Sequence, residues 1–164
     1  MRKFLFLTVI VIFFSSCRTQ GDKELVEVSE QVEFDVTKLP ELLVLNPNTQ
    51  EVVDKWLNYK ELESSIEGLY VIQNNEELIL LIENTIERQN AMASGKYPSP
   101  FDVPQIKSRQ KVFKTFLLKV MATLEYRKDP MEPTIEMVNA FNILRNQFDV
   151  LMNSQIDTKN ILDD

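Results

Sequence analysis

The 164-residue chain has no histidine, one cysteine and three glycines. Without His it lacks the commonest general base, the commonest transition-metal ligand and the side chain that titrates near pH 7 unperturbed. The single Cys17 excludes an intrachain disulfide framework and any zinc site built from several thiolates. Gly21, Gly68 and Gly95 cannot supply a phosphate-cradling loop or a dinucleotide fingerprint, and no Gly-x-Ser-x-Gly occurs. Bases are outnumbered, with 18 Lys and Arg against 25 Asp and Glu, a net charge of −7. That balance argues against a general affinity for nucleic acid, whose polyanionic backbone demands clustered cations. What remains is ordinary for a globular chain: 44% apolar, 26% charged, and a length suited to one domain plus appendages.

The N-terminus reads as an address. Arg2 and Lys3 precede Phe4 to Phe14, a run that is apolar except for Thr8, and then come Ser15, Ser16 and Cys17. A charged start, a short apolar core and small residues before a cut make a secretory signal over 1–16. The run is shorter than the roughly 20 residues a spanning helix needs. Two small residues directly before the only Cys resemble the lipobox of bacterial lipoproteins, departing at Phe14, where that family usually has Leu. The resemblance implies cleavage before Cys17, acylation of its thiol, and a mature protein held on a membrane of the cell envelope by lipid. Arg18 stands where an Asp would favour inner-membrane retention, so the resemblance favours the outer membrane. Removing residues 1–16, with Arg2 and Lys3, leaves 148 residues and a net charge of −9.

Residues 17–47 read as an acidic tether, with a coil reach on the order of 30 Å. Within it Val26, Val28, Val32, Phe34 and Val36 alternate with polar residues, the period of a half-buried strand. The alternation also suits a strand that pairs only on meeting another sheet edge, or a segment packed on the body.

Residues 48–155 predict an all-α domain, an antiparallel up-down-up-down four-helix bundle, followed by a polar tail over 156–164. The first helix starts after Pro47, with Asn48 as cap, and carries Val52, Trp56, Tyr59, Leu62, Ile66 and Leu69 on one stripe. Asn74 and Glu77 form a capping pair for the second, whose stripe is Leu78, Ile82, Ile86, Gln89 and Ala93, with Gly95 as its stop. After the Pro98 and Pro100 loop, Asp102 and Gln105 cap a third helix bearing Ile106, Phe113, Phe116, Leu117, Val120 and Leu124. The fourth follows Pro130 and carries Ile135, Val138, Phe141, Leu144, Phe148 and Leu151. Short connections make neighbouring helices antiparallel. The first two helices are acidic and the third is basic, so charge is expected to bias how they pair.

Candidate chemistry is thin. Lys107, Lys111 and Lys114 share one face of the third helix at i, i+4, i+7, Arg109 lies near its apolar stripe, and Arg145 adjoins Leu144 on the fourth. These five are candidate contacts for an anionic ligand or a protein partner, against the plainer reading of a solvated basic face and, for Arg145, a structural ion pair. Glu83 and Glu87 are spaced for a metal, but ferritin-like di-metal sites need His. Met92, Met121, Met137 and Met152 read as core filler. No metal, cofactor or catalytic residue is implied. The expectation is a non-catalytic accessory module, membrane-bound through acylated Cys17, that contacts another envelope protein. The rival is a binder of a small anionic or apolar ligand between the helices. A partner module should expose an apolar patch and hold no cavity, whereas a ligand binder should converge Lys107, Arg109 or Arg145 on one.

Overall fold

Five helices, and no strand, occur among the described residues of the computed structural model, which describes 34–162, with side chains to 154. The lipobox, and Val26, Val28 and Val32 of the tether, lie outside that range. The helices are α1 Pro47–Asp54, α2 Leu57–Glu67, α3 Asn75–Ser94, α4 Pro104–Glu125 and α5 Met131–Leu162. α2 packs on α3, α3 on α4 and α4 on α5, while α1 touches both α2 and α5.

The first predicted helix is two. It breaks at Trp56, whose non-helical backbone (φ −101°, ψ 88°) starts a new helix while its N–H still donates to Val53 O at 3.0 Å. The turn sends the indole inward, 5.0 Å from the Tyr97 ring and 6.1 Å from Phe148, and leaves Leu57 exposed. Five of the six stripe residues are buried despite the break, and Val52 packs on the core. Rings dominate the interior: Tyr59, Phe101, Phe113, Phe141 and Phe148 are fully buried. Each such side chain contributes about 1.5–3 kcal/mol on leaving water. Tyr97 and Phe101, from the proline loop, close one end of this cluster, the Phe101 ring tilted against Phe148 at 4.5 Å between centroids.

The helix ends differ from expectation in instructive ways. Asn46, not Asn48, caps α1, accepting from Thr49 N at 2.9 Å, because Pro47 takes the first helical position. Asn74 caps α3 as expected, accepting from Glu77 N at 2.8 Å, but the Glu77 carboxylate reaches back one residue further, accepting from Gln73 N at 2.8 Å and from the Asn74 amide at 3.1 Å. Val103 rather than Asp102 precedes α4 and makes no side-chain cap, and Asp102 instead pairs with Lys107. Gly95 ends α3 without a left-handed backbone. Its missing Cβ makes room for the Asn58 amide, which donates to Ala91 O at 3.1 Å. The left-handed cap belongs instead to Arg127 (φ 52°), where Arg127 N bonds Leu124 O and Lys128 N bonds Thr123 O in the paired pattern that closes α4. Ala93 is exposed and Met92 fills its expected place in the core. The helix of residues 131 onward continues through the supposed tail to Leu162.

Residues 34–46, assigned to the tether from sequence, are a packed strap. Phe34, Leu39 and Leu45 are buried in the core, and side chains of α5 hold the intervening backbone. Asn142 accepts from Leu43 N at 2.8 Å and donates to Glu41 O at 2.9 Å. Arg145 Nε donates to Leu43 O at 2.7 Å, and Asp149 accepts from Asn46 N at 3.2 Å. Tyr70 adds a hydroxyl bond to Pro40 O. Asn142, Arg145 and Asp149 stand at i, i+3, i+7, one face of a helix reading an extended chain. Burial of three apolar side chains is why an acidic, linker-like composition does not leave this stretch free. Any tether therefore ends before Phe34.

Candidate functional site

The five candidate cations fall in different places. Arg145 is buried at the junction of α2, α5 and the strap. Its Nη1 pairs with Glu63 and donates to Tyr59 OH at 2.9 Å, and its guanidinium lies 5.8 Å from the Phe141 ring centre. Glu63, 4% exposed, also accepts from Tyr59 OH at 3.2 Å and from Lys60 Nζ at 2.9 Å. Burial pushes the Tyr59 phenol well above its ordinary value, with Arg145 opposing and Glu63 adding to the rise. The Glu63 hydrogen bond raises Lys60. Every charge here has a partner, so the cluster is a structural lock and offers no open coordination to a ligand.

The α4 cations face outward. Lys107 pairs with Asp102, 5.3 Å above the Tyr97 ring, and that hydrogen bond raises its pKa. Lys114 donates to Asn90 Oδ1 of α3 at 2.7 Å. The side chains of Arg109 and Lys111 are exposed, with no hydrogen-bond or ion-pair partner among the described residues. Arg145 and the α4 cations thus do not converge. Nor do Lys107, Arg109, Lys111 and Lys114 pair with the acids of α1–α3 as charge pairing predicts. The ion pairs between helices among the described residues are Arg88–Glu61 (2.6 Å) from α3 to α2, Lys60–Asp54 (3.4 Å) from α2 to α1, Lys119–Glu136 from α4 to α5 and the buried Arg145–Glu63 from α5 to α2. The reason is offset: the lysines at the start of α4 reach Asn90 and the loop carboxylate of Asp102 before any carboxylate of α1–α3.

Sequence reasoning missed an open groove between α2 and α3, about 780 Å³ in volume. Leu81 and Ile72 form its apolar floor, Ser65 Oγ and Asn84 Oδ1 meet in it at 3.2 Å, and the Glu61–Arg88 pair crosses it. Leu80 (66% exposed) and Val71 (76%) stand on its rim. The signal was present in the sequence, since Ile79, Leu80 and Leu81 make the second helix apolar around more of its circumference than one stripe requires.

Glu83 and Glu87, weighed as metal ligands, are exposed on α3. Among the described residues no group of three or more His, Cys, Asp or Glu could hold a metal ion, and no helix is long and apolar enough to cross a membrane. No family model, curated protein or solved structure matches the chain.

Proposed function

We propose that the protein is a lipoprotein, acylated on Cys17 and held on the cell envelope, more on the outer membrane than the inner, where it acts without catalysis by contacting another envelope protein. In this reading α2 to α5 form the antiparallel up-down-up-down bundle and α1 and the strap brace one side of it. The observation that carries the proposal is the contrast between a filled aromatic interior and apolar side chains left on the rim of the α2/α3 groove. An apolar surface rimmed by polar residues is the kind of patch that protein contacts use, and this one lies open at the surface rather than enclosed between the helices. The anionic form of the rival, a charged ligand held between the helices, is less favoured because Lys107, Arg109 and Arg145 stand in three separate surroundings.

The test is crosslinking in native membranes, with mass spectrometry of what is captured. A defined partner is expected, lost both from Cys17→Ser and from Val71→Asp, which charges the rim while leaving the core intact. Empty captures, or a capture indifferent to both variants, overturn the proposal.

A further inference from the structure

Beyond the groove, α3 and α4 present two ridges of opposite sign on one face. On α3, Glu76, Leu80, Glu83 and Glu87 are spaced i, i+4, i+7, i+11 and all are exposed. On α4, Lys107, Lys111, Lys114 and Leu118 repeat the same spacing, and all are exposed but the half-buried Lys114. Such spacing keeps four residues on one side of a helix. The two ridges are neighbours: Asn90, one step beyond Glu87 on the acidic ridge, accepts the hydrogen bond from Lys114. Yet the charges do not neutralise one another within the chain. Among the described residues Glu76, Glu83, Glu87 and Lys111 have no ion-pair partner.

A face carrying an acidic patch beside a basic one is complementary to itself. A twofold axis lying in the contact plane between the patches lays the acidic ridge of each copy on the basic ridge of the other, which is the requirement of an isologous dimer. Leu80 and Leu118 supply an exposed apolar side chain to each ridge, 66% and 47% accessible. We propose that a second copy of this chain docks on the α3/α4 face, Glu83 and Glu87 of each copy meeting Lys111 and Lys114 of the other. This goes beyond the partner reading, which uses the α2/α3 groove; Leu80 stands where the rim of that groove meets this face, and the charged residues of the two ridges lie outside the groove.

Symmetry makes the inference testable by charge exchange. Full-length chains carrying two different tags, extracted in mild detergent, are expected to co-purify at about 50 mM salt and to lose that association toward about 500 mM, as screening shortens the reach of the charges. Reversing the basic side (Lys111→Glu with Lys114→Glu) or the acidic side (Glu83→Lys with Glu87→Lys) should each weaken self-association by about tenfold or more, because like charges then face each other twice. Mixing the two reversed chains restores one swapped contact and one native contact, so their co-purification should return to within about threefold of wild type. All four positions lie outside the core, and an unchanged thermal midpoint for each variant excludes misfolding as the cause. A wild-type chain that never self-captures, reversals that change nothing, or a mixed pair that fails to recover would each overturn the proposal. Such a failure is separable from that of the partner reading, which is judged by Val71→Asp and by capture of a different protein.

Discussion

Arg109 and Arg145 are the same residue type placed beside an apolar stripe on adjacent helices, and they meet opposite fates. Arg109 stands in solvent with no partner among the described residues, while Arg145 is 6% exposed and bonded to Glu63, Tyr59 and a strap carbonyl. Their position along the helix does not separate them. What separates them is the facing helix, which offers Arg145 a carboxylate and a phenol at i and i−4, next to Leu62. A charge can be buried only where another element supplies its mate.

That comparison can be broken most forcefully from the partner's side. Glu63→Ala leaves the Arg145 guanidinium buried and unpaired and should cost about 3–5 kcal/mol in urea unfolding. Pairing Glu63→Leu with Arg145→Met should recover most of that loss, since an apolar pair of similar volume carries no desolvation penalty. The strap offers the next largest effect. Phe34→Ala removes a buried ring and should cost about 3 kcal/mol, read as a fall of several degrees in thermal midpoint. A free linker would show no change.

The pH dependence sharpens the contrast further. Tyr59, through burial, and Lys60, through its bond to Glu63, both have folded-state pKa values above their unfolded ones. Their stabilising contributions are therefore whole below the unfolded values of about 10, and are lost as pH rises through the folded ones. Urea midpoints should hold level up to about pH 9.5 and fall beyond it, with Tyr59→Phe flattening the decline. Arg109→Ala sits at the small end and should move stability by less than about 0.5 kcal/mol.

Much of the fold is legible in residue spacing, because each amphipathic stripe depends on one helix alone. The burial of Tyr59, Leu62, Phe113, Val138 and Phe148 follows directly from it. The break at Trp56 was not legible, since its cause is a pocket made by Tyr97, Phe101 and Phe148 from distant segments. The strap was hidden for a similar reason. Its acids and its single proline read as linker, and the groups that hold it, Asn142, Arg145 and Asp149, sit about a hundred residues away. Of the candidate site residues, spacing identified the ridge of Lys107, Lys111 and Lys114, but the ridge on α3 that matches it becomes visible only when Asn90 is seen beside Lys114.

The strap also has a mechanical consequence. Its attachments lie in series along one extended chain: Phe34 and Leu39, then the Tyr70–Pro40 bond, then Asn142, Arg145 and Asp149 toward Asn46. A load entering from the N-terminal side meets these rungs one after another rather than all together. Peeled from that end, the segment opens in small steps, each bond yielding before the next is stretched. Force is spent there before it reaches the helices, and the strap works as a fuse in front of the core.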